Sequence, residues 1–252
     1  MDPAPTGRAG ERSRWIAAGS SGVFAFLLTV SWRRWSDLII DFGEELYIPW
    51  QMVEGRLLYT DLFYVRGPFS AYLNYLVFAV AGVGYLQVAL VNAAIAGGIT
   101  VALYRLFGRG SGPFGAAAAA LSFLVVFAFG HYTTTGNYNF VTPYSHEQTH
   151  AVALALGSLL LLCKYLDSGR SRWCFWIGLT LGASFLTKPE LFLCHAASVL
   201  SALLPAWIFG GTAAGRARVA RDRSFWSLAK GIQLSLFFGT VLYCTVLAGV
   251  VN

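Results

Sequence analysis

The feature that most limits how this chain can fold is a series of apolar runs of about 15 to 23 residues, separated by shorter charged segments. A helix needs roughly 20 residues to cross the hydrocarbon core of a bilayer, and in that core only helices or closed barrels satisfy their backbone polar groups. The runs lie at 15–32, 69–83, 85–107, 114–130, 151–166, 173–187, 191–209 and 232–251. They predict an all-α polytopic transmembrane helix bundle with seven or eight spans, folded as one membrane domain over 1–252.

Composition excludes several other classes of protein. Hydrophobic residues make up 56% of the 252 residues and charged residues only 12%, whereas a soluble domain has roughly 25% charged residues. A water-soluble globule and a disordered chain are therefore excluded. The net charge of +6 is spread between the apolar runs and forms no basic face, so the sequence does not predict nucleic-acid binding. The basic segment 210–230 is instead expected to be a cytoplasmic loop attracted to anionic membrane lipids.

Lysine and arginine residues predict the orientation in the membrane. The first apolar run follows the basic segment 1–14 without a small-residue cleavage site after it, which indicates an uncleaved signal anchor with a cytoplasmic N-terminus. That orientation places thirteen of the eighteen basic residues inside and eight of the twelve acidic residues outside, in agreement with the positive-inside rule. It also makes the 15-residue run 69–83 re-entrant or juxtamembrane. If that run crosses the membrane instead, every later loop changes side.

The loop 33–67, predicted to lie outside and to contain juxtamembrane helices, concentrates the polar chemistry of the chain. Its acidic residues are Asp37, Asp41, Glu44, Glu45, Glu54 and Asp61, which are six of the twelve in the sequence. Its aromatic residues are Trp35, Tyr47, Trp50, Tyr59, Phe63 and Tyr64. Carboxylate acceptors beside flat apolar rings suit hydroxylated substrates such as sugars. The alternative interpretation is an interfacial aromatic belt with solvated charge.

A second outer loop, 131–150, carries a further set of polar residues. These are His131, Asn137, Asn139, Tyr144, Ser145, His146, Glu147 and His150. Ionisable residues beside a membrane span are costly and by default indicate function. His146 and His150 share a helical face, but two histidines and one glutamate at this spacing are an incomplete zinc set. We therefore expect hydrogen-bonding roles and no metal or other cofactor, with a bound divalent metal as the alternative.

The first of these loops resembles the first extracytoplasmic loop of the GT-C integral membrane glycosyltransferases, and in particular the bacterial relatives of the protein O-mannosyltransferases and the lipid A aminoarabinose transferase. The family pattern is an acid after the first transmembrane helix, a tyrosine, a Gly-x-x-x-Tyr-x-Asp turn and a Gly-Pro or Pro-Pro before the next helix. The matching residues are Asp41, Tyr47, Gly55, Tyr59, Asp61, Gly67 and Pro68. The segments 137–150 and 178–192 resemble later parts of the family pattern.

Two departures accompany the resemblance. Many family members have an Asp-Glu pair where this chain has Asp41 followed by Phe42, with glutamates only at Glu44 and Glu45. Members are also commonly about twice as long, so we expect this chain to be an N-terminal portion that lacks a C-terminal half.

The resemblance implies a reaction and a set of residues for it. A hexose or pentose carried on a polyprenyl phosphate is attacked by an acceptor hydroxyl on the outer face of the membrane, with inversion. Asp41 is then the expected general base, although a helix-capping role is the simpler alternative. Arg66 and Lys188 are expected to stabilise the leaving phosphate. The full set of expected substrate-binding residues is Glu44, Glu45, Tyr47, Tyr59, Asp61, Arg66, His146, Glu147 and Lys188.

The family also implies partners and a location, and other functions compete with it. The implied partners are a polyprenyl-phosphate-sugar donor, membrane lipids and a glycan, lipid or protein acceptor; the implied location is the bacterial inner membrane.

The alternative functions are a transporter or flippase for a lipid-linked or polar solute, and an inactive family fragment that assists assembly. A transporter would place ionisable residues at the middle of the membrane, whereas here they lie in a predicted outer loop. That placement favours the enzyme.

Overall fold

The computed structural model describes residues 7–32, 34, 37–130 and 138–209, together with 227, 228, 230–232 and 234. These residues form helices joined by loops, with no strand among them, which confirms the all-α prediction. The helices are α1 (Gly7–Val30), α2 (Gly43–Val53), α3 (Pro68–Ala81), α4 (Tyr85–Ser122), α5 (His146–Ser168), α6 (Arg172–Phe185) and α7 (Pro189–Phe209). Two π-helical segments, Leu38–Phe42 and Phe123–Ala128, precede α2 and follow α4.

The chain divides into two compact units. The first comprises Met1–Phe42 and Ala89–Tyr144, and the second comprises Gly43–Val88 and Ser145–Asn252. In the first unit α1 packs against the π-helical segment that follows α4. The rings of Phe24 and Phe129 meet edge to face in this unit, with their centroids 5.5 Å apart.

Helix α4 contains a sharp break at Gly112. This glycine has a φ of 66° and is followed by Pro113, a residue that suits the first position of a new helix. A Cβ atom added to Gly108 would lie 3.6 Å from the Cβ of Ala116, although eight residues of continuous helix span about 12 Å. The chain therefore turns back on itself at Gly112, between the predicted apolar runs 85–107 and 114–130.

Two helical segments in the described part of the chain are long and apolar enough to cross a membrane. They are Tyr85–Ala128, which contains the break at Gly112, and His146–Ser168. Helices α3 and α6 have 14 residues each, which corresponds to about 21 Å and falls short of the roughly 30 Å hydrocarbon core. The short length of α3 is what the 15-residue run 69–83 predicts. The total of seven or eight spans stays a prediction, and most of the run 232–251 lies outside the described residues.

In the second unit α5 packs against α6 and α7, α2 packs against α3, and α3 contacts α5. One apolar cluster lies among α5, α6, α7 and the segment that contains Leu228. A second cluster joins α2 and α3 to the loop between them and consists of Ile48, Met52, Leu58, Leu62, Tyr64 and Ala71. Because this cluster buries Leu58, Leu62 and Tyr64 of the 54–67 loop, it anchors that loop against α2 and α3.

The 54–67 loop ends against the turn between α6 and α7. The backbone N–H of Gly67 donates to the carbonyl of Thr187 at 3.2 Å, and the N–H of Phe69 donates to the carbonyl of Leu186 at 3.0 Å. A Cβ atom at position 67 would lie 2.1 Å from the Leu186 carbonyl oxygen. Only glycine allows the two backbones to come this close, so Gly67 ties the start of α3 to the residues just before Lys188.

We predict that Gly67→Ala destabilises the protein, because the new methyl group collides with backbone that cannot rotate away. Overpacking of this kind costs about 1–3 kcal/mol. The matched control is Gly157→Ala in α5, where an added Cβ meets nothing within 4 Å. Thermal unfolding of the purified chain in detergent measures the difference. Equal melting temperatures for the two variants would contradict the close contact at Gly67.

Candidate functional site

The guanidinium of Arg66 is the centre of a cluster of acidic side chains in the second unit. Its Nη1 lies 2.5 Å from Oε1 of Glu45 and 3.7 Å from Oε2 of Glu147, and its Nη2 lies 3.5 Å from Oε2 of Glu44. Burial lowers the pKa of the Arg66 guanidinium. The nearby carboxylates of Glu147, Glu45 and Glu44 raise it by more, so the net effect is a raised pKa. Arg66 is therefore a permanent cation shared by three acids. We call Glu44, Glu45, Tyr64, Arg66 and Glu147 the Arg66 cluster.

Glu147 occupies the most enclosed position in this cluster. Its side chain has no exposed surface, and it lies in the first turn of α5, where the partial positive charge of a helix N-terminus stabilises a carboxylate. The Tyr64 hydroxyl donates to its Oε1, and the Ser145 hydroxyl donates to its Oε2 at 2.7 Å. Burial and the Glu147 carboxylate raise the pKa of Tyr64, so this phenol stays protonated and remains a donor.

Glu45 approaches the same point from α2. Its side chain is 3% exposed. Burial, and after it the neighbouring Glu147 carboxylate, raise the pKa of Glu45 well above its ordinary value, and Arg66 and the backbone N–H of His146 reverse only part of that effect. Glu45 therefore holds a proton more tightly than a solvated glutamate does.

Four polar side chains join α3 to α5 beside this cluster, and we call them the polar ladder. Asn74 Nδ2 donates to His146 Nδ1 at 2.6 Å, and Ser70 Oγ lies 2.9 Å from His150 Nδ1. Ser70 and Asn74 are four residues apart on α3, as His146 and His150 are on α5, so each pair lies on one helical face. His146 Nδ1 also lies 3.6 Å from Oε2 of Glu45, which connects the ladder to the Arg66 cluster.

This arrangement supplies acceptors, donors and a fixed cation in one enclosed place. Carboxylates and imidazoles hydrogen-bond sugar hydroxyls, and cations stabilise phosphate. Within the described residues, no group of three or more His, Cys, Asp or Glu side chains has the geometry to hold a metal. The expectation of a reaction without a bound metal stays a prediction.

The structure brings together five of the residues expected from the sequence. They are Glu44, Glu45, Arg66, His146 and Glu147. Because Gly67 pairs with Thr187, the backbone of Lys188 lies next to that of Arg66.

The other expected residues have different surroundings. Tyr59 donates its hydroxyl to the Arg66 carbonyl at 2.6 Å, so it supports the loop that carries Arg66. Asp61 accepts from the Leu57 N–H at 2.8 Å, which makes it a turn-stabilising residue. Tyr47 is exposed, and its ring contacts Trp50 edge to face at 6.2 Å.

Three candidates fall partly or wholly outside the described residues. The backbone of Asp41 belongs to Leu38–Phe42, but its side chain lies outside the part of the molecule that is described. His131 and Asn137 lie outside the described residues altogether. The assignment of Asp41 as base is therefore still a prediction.

Sequence reasoning gave no specific role to three residues of the site: Tyr64, Ser70 and Asn74. Tyr64 was one of six aromatic residues in its loop, and nothing in its spacing distinguishes it. Ser70 and Asn74 carried a usable signal, because they are polar side chains four residues apart in an otherwise apolar helix.

The family model for dolichyl-phosphate-mannose-protein mannosyltransferases matches residues 65–210, which is more than half of the chain. The chain belongs to this family. It is therefore an integral membrane glycosyltransferase of the GT-C type, and the resemblance noted in the sequence is confirmed. No curated protein and no solved structure gives a significant match.

The matched segment divides the site. It includes Arg66, both α3 residues of the polar ladder, His146, Glu147 and Lys188, but it begins after Asp41, Glu44 and Glu45. The family assignment thus rests on the residues from Arg66 onward, and Glu44 and Glu45 are joined to them by their contacts with Arg66.

We predict that Tyr64→Phe destabilises the chain, because Glu147 loses a donor that nothing else replaces in its enclosed position. An unsatisfied buried polar group costs about 1–3 kcal/mol. Tyr75→Phe, which removes a hydroxyl from a half-buried ring against the same loop cluster, is the matched control. Thermal unfolding of both variants checks this, and a Tyr64→Phe melting temperature equal to that of Tyr75→Phe would contradict it.

Proposed function

We propose that this protein transfers a hexose or pentose from a polyprenyl-phosphate-linked donor to an acceptor hydroxyl on the outer face of a bacterial inner membrane, with inversion at the anomeric carbon. The observation that carries the proposal is the Arg66 cluster, in which buried acids surround a cation at the end of the 54–67 loop, directly beside the turn that bears Lys188. Membership of the mannosyltransferase family supports the reaction type.

Lys188 is the cation that we assign first to the donor phosphate. The guanidinium of Arg66 is already engaged by three carboxylates, whereas Lys188 is partly exposed in the turn between α6 and α7. Negative charge grows on the phosphate as the sugar leaves, and a fixed cation stabilises that charge. Arg66 in this proposal orients the acids and contributes to the field around the phosphate.

Asp41 is the base in this proposal. The acceptor oxygen forms a bond to the anomeric carbon, its proton passes to the Asp41 carboxylate, and the bond from the anomeric carbon to the phosphate oxygen breaks, releasing polyprenyl phosphate. General base catalysis of this kind contributes roughly 10²- to 10⁴-fold. Asp41 precedes Glu45 by four residues in the sequence, and Glu44, the exposed acid of the cluster, accepts hydrogen bonds from the sugar.

We predict that Asp41→Asn lowers sugar transfer at least a hundredfold, because the amide cannot take the acceptor proton. That loss corresponds to about 2.7 kcal/mol of transition-state stabilisation. Transfer of radiolabelled sugar from a membrane-extracted polyprenyl-phosphate pool, at equal membrane abundance, measures it. The control is Asp37→Asn, whose exposed carboxylate accepts from the Ile39 N–H. Equal rates for both variants would remove Asp41 as base, and no transfer by any form would favour the fragment or transporter interpretation.

We predict that Lys188→Gln lowers kcat/KM for the donor roughly tenfold or more, the loss expected for one charge-assisted hydrogen bond of about 1.5–3 kcal/mol. Lys164→Gln is the matched control, because Lys164 lies over the Trp173 ring at 4.9 Å on the side predicted to be cytoplasmic. Steady-state transfer at varied donor concentration gives both constants. A Lys188 variant that behaves like the Lys164 variant would exclude Lys188 as a phosphate ligand.

A further inference from the structure

The Arg66 cluster holds more acid than it has cation to balance. Glu45 and Glu147 are 3% and 0% exposed and both face the single guanidinium of Arg66, while Glu44 is a third acid at 3.5 Å with 39% exposure. Two ionised carboxylates in this enclosed space would leave one buried negative charge unpaired, which is costly. Closely spaced carboxyl pairs avoid that cost by keeping one proton between them.

The surroundings of the two carboxyl groups differ, and they indicate which one carries the proton. Glu147 accepts from Tyr64 and Ser145, one donor for each oxygen, and also lies in the first turn of α5. These are the surroundings of an anion.

Glu45 has different neighbours. Its Oε1 accepts from Arg66, its Oε2 lies 3.6 Å from His146 Nδ1, and the carboxyl also accepts from the backbone N–H of His146. This carboxyl is also within hydrogen-bond reach of the Glu147 carboxylate. A proton on Glu45 turns this contact between two acids into a hydrogen bond that Glu45 donates to Glu147.

We propose that Glu45 and Glu147 share one proton, carried on Glu45, and that this neutral and anionic pair holds Arg66 and Tyr64 in position at the transfer site. The catalytic effect of this proton rests on the proposed function. The protonation of Glu45 is a property of the folded chain and can be tested without any activity. Both glutamates act here as positioning residues, through Arg66 and Tyr64. Loss of the shared proton places two adjacent anions in the cluster and weakens the arrangement around Arg66.

The sign of the resulting pH dependence follows from burial. Because burial and Glu147 raise the pKa of Glu45, the folded chain keeps a proton that the unfolded chain releases. Stability from this group therefore falls as the pH rises from the ordinary glutamate pKa through the raised one. The charged or titratable groups around the pair are Tyr59, Tyr64 and Arg66 from the loop, His146 and His150 from α5, and Glu44 on α2; α3 contributes the neutral Ser70 and Asn74.

Replacing each acid by its amide gives an asymmetric test. Glu45→Gln keeps a neutral group that can donate to Glu147 and accept from Arg66, so its melting temperature should equal that of the natural chain at neutral pH and should decline less at alkaline pH. Glu147→Gln removes the anion that Tyr64, Ser145 and Arg66 require, so its melting temperature should fall by several degrees at neutral pH. Glu44→Gln, at the exposed member of the cluster, should follow the natural chain at every pH.

The measurement is thermal unfolding of the purified full chain in detergent, from weakly acidic to alkaline pH. Equal destabilisation by the two amide variants would overturn the shared proton. So would a Glu45→Gln melting temperature that declines at alkaline pH as much as that of the natural chain.

Infrared spectroscopy gives a second test, which uses the natural chain and does not require any variant to fold. The natural chain with isotope-labelled glutamate should show a protonated buried carboxyl band at neutral pH that disappears on alkalinisation, and absence of that band would also overturn the proposal.

Activity separates this inference from the proposed function. If sugar transfer is found, the natural chain should lose kcat at alkaline pH, and Glu45→Gln should lack that decline. If no form of the protein transfers sugar, the proposed function fails, while the asymmetry of the two amides in unfolding still decides whether the proton is shared.

Discussion

The structure of the second unit depends on one electrostatic constraint: the guanidinium of Arg66 and the two enclosed carboxyl groups of Glu45 and Glu147 must satisfy one another. Glu45 comes from α2, Arg66 from the 54–67 loop and Glu147 from α5, so three separate parts of the sequence must meet. An enclosed charge without a partner is far more costly than an apolar contact that is lost. The cluster therefore specifies how these elements meet, and the Tyr64 and Ser145 hydroxyls complete it.

Backbone packing then places the turn between α6 and α7 beside this cluster. Gly67 has no side chain, and its N–H reaches the Thr187 carbonyl. The residue after Thr187 is Lys188, so one close backbone contact brings a second cation to the end of the 54–67 loop. Acids with a lysine in the neighbouring turn suit a substrate that carries both hydroxyl groups and a phosphate. The mannosyltransferase family membership agrees with such a substrate.

The sequence predicted the helical class and much of the candidate site because polar residues stand out in an apolar chain. Glu45, Arg66 and Glu147 were all identified in that way, and the structure brings them together. The sequence could not show that Arg66 is committed to carboxylates, since Glu147 lies 81 positions away along the chain. For the same reason the sequence assigned no specific role to Tyr64 and Asn74: their partners on α5 follow more than 70 residues later. Asp61 is the opposite case: it matched the family motif in the sequence, but the structure gives it a local role, because its carboxylate accepts from the Leu57 N–H in the same turn.

The central claim is that the Arg66 cluster and the turn bearing Lys188 together receive a polyprenyl-phosphate-linked sugar. Photocrosslinking tests it directly. Membranes containing the full chain are irradiated with a photoactivatable polyprenyl phosphate, and the labelled peptides are identified by mass spectrometry. The account predicts labels within 64–74 and 186–192 that a natural polyprenyl-phosphate sugar competes away. Labels confined to the basic turn between α5 and α6, or labels that no competitor reduces, would contradict it.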